Sequence, residues 1–223
     1  MIASPHYFLG VIMDGMLSHI IEVLDAKKVF ERKRKNMKSR ALGILLYHYG
    51  LSLRKCRTIV SGFESTSHET IRKWYHKTDI IFSVEKSYRE TVAVDETKVK
   101  INGKLYILWA AIDVCSYEVL GVWITKGRSS IEAYSFIKYI LRKCVNQPKI
   151  LVDGGPWYKP ALERLNVQWE HVTFGVRNPI EQWFFILKHR IKSFYRNWPY
   201  HATVGSTQQW IDCFVSMYHF TRF

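Results

Sequence analysis

The spacing of apolar residues divides the chain near residue 88 into a helical first part and a second part in which strands and helices alternate. From Met16 to about Asn36, Ile20, Val23, Leu24 and Phe30 recur at roughly helical spacing, and the segment runs into a mostly basic stretch from Lys27 to Lys38. Residues 39–77 predict three short helices. The first, SRALGILLYHY, stops at Gly50; the second, SLRKCRTIVSG, has Ser52 as its N-cap and Gly62 as its stop. The third follows Thr66-Ser67-His68-Glu69, a capping box in which Glu69 sits three residues after Thr66. It continues as TIRKWYHK, with Ile71 and either Trp74 or Tyr75 turned inward.

Beyond a short connector the period changes. RETVAVDETKVKI, KLYILWAAIDV and EVLGVWIT are rich in β-branched and aromatic residues and predict three strands. Asn102-Gly103 is a strong hairpin signal between the first two, and Cys115-Ser116-Tyr117 links the second to the third. A helix from about Ser130 to Val145 follows, with Ala133, Phe136, Ile137, Ile140 and Leu141 on its apolar face. Then come a short buried strand, KILVD, ended by Gly154-Gly155, a helix over Tyr158–Leu165, a strand QWEHV, and a long helix beginning at Asn178. Three consecutive strands followed by helix, strand, helix, strand, helix predict an α/β fold of ribonuclease H-like type. Its mixed five-stranded sheet has flanking helices and is preceded by a small all-α helix-turn-helix module. The expected divisions are 1–36, a helical basic segment; 37–88, the helix-turn-helix and connector; 89–200, the α/β domain; and 201–223, a C-terminal helix packed on that domain.

Charge changes this picture more than composition does. The 223 residues are 48% apolar and 23% charged, enough for a packed core, but the net charge is +14. So basic a chain needs an anionic partner, and nucleic acid is the commonest. Two short helices, the second carrying Ser67, His68, Arg72 and Lys73 near its start, suit a helix-turn-helix reader of double-stranded DNA. Cys56, Cys115, Cys144 and Cys213 are far apart with no C-x-x-C pair, which argues against a zinc knuckle or a disulfide scaffold and fits a reducing cytoplasm. No apolar run approaches the ~20 residues of a membrane span. The first residues lack a basic segment before their apolar patch, so a secretory signal is not expected.

Three carboxylates stand out against this background. Asp95 falls inside a strand, where Asp is disfavoured, and alternation puts Ala93, Asp95 and Thr97 on one face with Val92 and Val94 on the other. Asp153 ends KILVD just before two glycines, where ordinary turn chemistry would also account for it. Glu181 follows Asn178, a possible N-cap, and Pro179, so closing a capping box is an alternative role for it. Against that, Ile180, Phe184, Leu187, Ile191 and Phe194 form an apolar stripe, Glu181 borders it, and Lys188 and Lys192 stack behind Glu181 on its own face. First and fourth strands are neighbours in the predicted topology, so Asp95 and Asp153 should meet there, with the last helix laying Glu181 beside them. Three carboxylates supply the hard oxygen donors that Mg²⁺ or Mn²⁺ prefers. Two ions about 3.5–4 Å apart could then serve an in-line displacement at phosphorus without a covalent nucleophile.

VDETKVKINGKLYILWAAIDV, ILVDGGPWYKPAL and RNPIEQWFFILKHRIKSF resemble, in that order, the three catalytic segments of the DDE transposases of prokaryotic insertion sequences, of a compact archaeal and bacterial type with a retroviral-integrase-like core. The resemblance runs from the helix-turn-helix onward. It implies that Asp95, Asp153 and Glu181 form the metal-binding catalytic triad, and that the Lys188 and Lys192 side of the last helix faces DNA. It further implies that residues 39–77 recognise element ends, that cleavage exposes a 3′ hydroxyl which attacks target DNA, and that the chain works as a homodimer or larger synaptic assembly. One departure is the interval from Asp153 to Glu181, 28 positions, shorter than is usual in such proteins; Glu163 and Glu170 are the reserve third ligands. His189 and Arg190 are expected to add phosphate contacts, Trp109 and Trp123 to lie in the core, Trp157 and Tyr158 to pack a helix or contact a base, and Asp113 to close a strand. The competing readings are a ribonuclease H-like nuclease or resolvase, and an inactive transposase-derived DNA-binding protein.

Overall fold

A computed structural model describes residues 5–31, 34–172, 175, 178–192, 198 and 201–222, with side chains from residue 15 onward and without that of Asn178. The described residues fall into two compact units: Met1–Ser83 with Asp212–Phe223, and Val84–Ile211.

The first unit is helical. α1 spans Pro5–Ala26, longer at its start than the apolar periodicity predicts and shorter at its end. Its end is local chemistry: Lys28 adopts φ +50, and the Val29 amide turns back to the Leu24 carbonyl at 3.0 Å. α2 (Met37–His48), α3 (Leu53–Val60) and α4 (His68–Tyr75) form the predicted trio, each opened by a side-chain cap. Ser52 caps α3 as expected, whereas α4 is capped by Ser67 rather than Thr66: the Ser67 hydroxyl accepts from the Thr70 amide at 3.1 Å. Glu69 then falls in the first turn and is held by Arg72, one turn on, instead of closing a capping box. Ile44, Leu45, Val60, Ile71 and Tyr75 are fully buried between these helices. α3 and α4 are joined by residues 61–67, a longer connection than the tight turn of the smallest helix-turn-helix units.

The second unit is built on a five-stranded sheet of order β3-β2-β1-β4-β5, with β1 at Thr91–Ile101, β2 at Lys104–Asp113, β3 at Val119–Thr125, β4 at Lys149–Val152 and β5 at Trp169–His171. β1, β2 and β3 form an antiparallel meander, and β4 and β5 add in parallel beyond β1. This is the predicted mixed, ribonuclease H-like sheet. Asn102 and Gly103 both have positive φ, +48 and +79, the backbone that a two-residue hairpin needs to match the strand twist. β5 pairs with β4 along Trp169–His171, so the short interval before Glu181 still closes the sheet.

One sheet face is covered by α5 (Ser130–Leu141) and α6 (Tyr158–Leu165). Val92, Val94, Trp109, Ala111, Ile150 and Val152 pack there against Phe136, Ile137, Ile140, Tyr158 and Leu162. The opposite face meets α7 (Asn178–Lys192), which packs on β1 and β2. Ile180, Trp183, Phe184 and Leu187 of α7 are buried, and Ile191 is half-buried. Phe194, the last member of the predicted stripe, lies outside the described residues. α8 (Val204–Arg222) begins in this unit, where Gln208 accepts from the Ile124 amide and donates to the Val122 carbonyl. The β3 edge is thereby occupied by an amide that satisfies its ladder groups. From Asp212 onward the helix belongs to the first unit. Among the described residues no helix is long and apolar enough to cross a membrane.

Candidate active site

β1 and β4 run parallel, with Thr91 opposite Lys149, Val92 opposite Ile150 and Ala93 opposite Leu151. Two residues further along each chain this register reaches Asp95 and Asp153, on the face that α7 covers. β4 stops at Val152 while β1 continues to Ile101, so a crevice opens at the carboxyl end of β4, beside the middle of β1. Such crevices are where open α/β sheets bind ligands. Asp153 is fixed locally: its Oδ1 accepts from the Gly155 amide at 3.0 Å. A Cβ at Gly155 would lie 2.6 Å from the Trp157 ring, so any other residue there would displace that ring.

Asp95 and Asp153 do not stand alone. Together with Glu96 they place carboxylate oxygens within 4.8 Å of one another; Asp95 and Asp153 are half-buried, and Glu96 has a partly exposed backbone but a side chain only 3% exposed. No pattern in the sequence marks Glu96, because strand alternation sends it to the opposite face from Asp95. β2 pairs with β1 at Glu96, but on the other side the β1–β4 ladder ends at Ala93 opposite Leu151, and around that open edge the Glu96 carboxylate reaches the site. Tyr158 of α6 donates to Glu96 Oε2 at 2.5 Å, and Arg128, from the loop before α5, approaches Oε1 at 3.2 Å. The only signal for it in the sequence was adjacency to Asp95. Burial, then the charges of Glu96, Asp95 and Asp153, push the Tyr158 phenol well above its ordinary range, so it remains a proton donor.

Like charges at this separation repel by about 3 kcal/mol per pair at an effective dielectric near 20. Within that cluster Asp95 and Asp153 offer hard carboxylate oxygens suited to a divalent cation such as Mg²⁺ or Mn²⁺, and that pair of donors fits the group. Glu181 lies in the first turn of α7 with an exposed side chain, and it is not in the 4.8 Å group. The reserve candidates are elsewhere too. Glu163 is exposed on α6, and Glu170 on β5 pairs with Lys149.

The other expected site residues divide by exposure. Ser67, His68, Arg72 and Lys73 are exposed on α4, where the Arg72 guanidinium is held by Glu69 and keeps that carboxyl below its ordinary range. Lys188, His189 and Lys192 are exposed on α7. Lys188 and Lys192 line a pocket of about 380 Å³ with Lys98 and Lys100 of β1, over a floor that includes Ile191 and Trp198. Arg190 is not presented to solvent as a phosphate contact would be: it is 6% exposed, its guanidinium 5.2 Å from the Trp210 ring centre. Trp109 is in the core, with its indole N–H on Thr125, whereas Trp123 is 39% exposed beside Phe136 and Tyr139. Tyr158 packs edge-on against Trp109, and the Arg128 guanidinium lies over Trp157 at 4.3 Å. Asp113 ends β2 as expected, buried against Arg89 and accepting from the Cys115 and Ser116 amides.

The sheet order, with paired aspartates at the β1–β4 crevice, defines a ribonuclease H-like domain with an acidic centre. Comparison with known proteins sharpens that class. A family model described as "DDE domain", of the IS240 transposase type, matches residues 89–218. An uncharacterized protein of Methanocaldococcus jannaschii is 41% identical over 204 residues, covering 91% of this chain and 95% of its own length. The transposase for insertion sequence element IS257 in transposon Tn4003 of Staphylococcus aureus is 27% identical over 205 residues, 86% of this chain and 89% of that protein. Among solved structures, the simian T-cell lymphotropic virus intasome in complex with PP2A regulatory subunit B56 gamma matches 77% of this chain and 66% of its own, at 16% identity and a TM-score of 0.46. The chain belongs to the DDE-domain family of insertion-sequence transposases.

Proposed function

We propose that this protein is an insertion-sequence transposase that binds element ends in double-stranded DNA and carries out metal-dependent strand cleavage and strand transfer. The observation that carries the reading is the juxtaposition of Asp95 and Asp153 across the parallel β1–β4 pair, on the face covered by the helix that bears Glu181. Asp95 and Asp153 would hold Mg²⁺ or Mn²⁺, with Glu181 as the third ligand. Two such ions, when bound, activate the attacking oxygen and stabilise the leaving oxygen of an in-line displacement. The protein's own contribution is to fix the two aspartates by strand register and the Gly155 bond, and to present cations to the DNA backbone. Lys188 and Lys192 of α7 supply those cations, with Lys98 and Lys100 of β1 lining the same pocket, and Ser67, His68, Arg72 and Lys73 present a recognition surface at α4. In the transfer step a DNA 3′ hydroxyl forms a bond to a target phosphorus as the target's own P–O3′ bond breaks, so one phosphodiester replaces another. Two element ends have to be processed together, which calls for a homodimer or larger assembly.

The test is to incubate the protein with Mg²⁺ or Mn²⁺ and DNA carrying candidate terminal inverted repeats. Joined products that disappear in Asp95→Asn, Asp153→Asn and Glu181→Gln support the reading. Hydrolysis without joining would make it a nuclease, and binding without chemistry a DNA-binding protein derived from a transposase.

A further inference from the structure

We infer that Glu96 is a positioning residue that holds the Asp153 turn against β1, and that it is not itself a ligand of the metal centre. This rests on the metal-binding reading above. Both Glu96 oxygens are already engaged by protein donors, Oε2 by the Tyr158 hydroxyl and Oε1 by Arg128. Its side chain is 3% exposed, so the carboxylate is enclosed by those donors.

Two routes lead from Glu96 back to Asp153. Tyr158 opens α6, five residues after Asp153, so the Tyr158–Glu96 bond pins the far end of the connection that begins at Asp153. Along the second route, the Arg128 guanidinium lies over Trp157, whose ring rests on Gly155, whose amide donates to Asp153 Oδ1. Residues 32 and 62 positions from Glu96 in the chain thus converge on it and clamp the same turn. β4 ends at Val152 and its last pair with β1 is Ala93–Leu151, so among the described residues the β1–β4 ladder does not extend to Asp153 and Asp95. Glu96 substitutes for that ladder from the opposite face of β1, and a substituted Glu96 or Tyr158 frees the turn while removing neither aspartate.

Two readouts on the full chain test this without measuring activity. Without metal, hydrogen–deuterium exchange over residues 153–158 should accelerate about tenfold in both Glu96→Gln and Tyr158→Phe, as local opening of that turn becomes easier. With Tb³⁺ as the probe ion, its emission sensitised by Trp157 and Tyr158, Asp153→Asn should abolish binding. Glu96→Gln should weaken it only about tenfold, the effect of losing a supporting contact. Tyr158→Phe, which keeps Glu96 intact but dims the sensitiser, is read by displacement of Tb³⁺ with Mn²⁺ and should match Glu96→Gln, and the double variant should be no worse than either. Loss of Tb³⁺ binding in Glu96→Gln as complete as in Asp153→Asn would make Glu96 a ligand and overturn the inference. Unchanged exchange in both variants would overturn it as well. If the unsubstituted chain bound no Tb³⁺, the metal-binding reading would fail, while the exchange arm would still decide whether Glu96 holds the turn.

Discussion

The same sheet carries two acidic clusters, and they are built on opposite principles. At the end of β2, Asp113 and Glu118 both receive the Arg89 guanidinium; the three side chains are 5, 15 and 6% exposed, and Asp113 also caps the turn that follows. Burial opposes the charge on Arg89, but hydrogen bonds to Asp113 and Glu118 outweigh it and raise its pKa. In the crevice at the end of β4, three carboxylates gather within 4.8 Å, and the arginine that reaches them, Arg128, is 40% exposed and bonds to Glu96. The first cluster contains its own cation and serves the fold. The second concentrates negative charge where the strand ladder has ended, an arrangement that costs stability unless a cation arrives.

Substitutions should separate the two clusters cleanly. The largest effect is expected on chemistry: Asp95→Asn or Asp153→Asn should lower metal-dependent strand joining by about 4 kcal/mol in barrier, roughly a thousandfold. The same variants should leave the thermal midpoint unchanged or higher, since they remove a repulsive charge. A thermal midpoint that fell with activity would mean that the crevice cluster is structural, like the one at Arg89. Next, Arg89→Met should destabilise the fold by about 3–5 kcal/mol, because it leaves two buried carboxylates without their cation; urea denaturation would show this as a lower midpoint, and an unshifted midpoint would erase the contrast.

Smaller effects probe the surroundings of the crevice. Lys188→Gln and Lys192→Gln should each reduce the slope of log affinity against log salt for DNA by about 1, read by fluorescence anisotropy, whereas Arg190→Gln should leave the slope unchanged because Arg190 is buried. The smallest effect concerns alkaline pH. The Tyr158 phenol is raised in the folded state, so its stabilising contribution is complete below the ordinary tyrosine value near 10 and is lost as pH rises beyond it. Tyr158→Phe should therefore flatten the decline in stability above about pH 10; an identical decline in both proteins would show that the phenol is not held by the carboxylates.

Much of this was legible because it depends on near neighbours in the chain. Asn102-Gly103 set a hairpin, the Ser52 cap started a helix, and alternation in TVAVDETKVKI assigned Asp95 to a face, all through local backbone geometry and period. The α4 cap shifted by one residue because Ser67 and Thr66 are both competent caps, and only the backbone geometry at Ser67 selects between them. A phosphate contact is expected of Arg190 by its type alone. Its position on α7 instead turns it inward, where Trp210 of the following helix covers it. Trp123, expected in the core, is 39% exposed on the edge strand β3, where Phe136 and Tyr139 of α5 cover only part of its ring.

By itself the sequence determined the element order, the mixed sheet and two aspartates destined for adjacent parallel strands, because periodicity and turn chemistry are properties of consecutive residues. Tertiary structure alone decided that Glu96 joins those aspartates and that Tyr158 and Arg128 clamp it. It also buried Arg190 and left Glu181 outside the tight acidic group. The reason is physical: where β4 stops is set by pairing across the sheet, and a strand that ends early lets a side chain from the other face reach the crevice, which no pattern along β1 encodes.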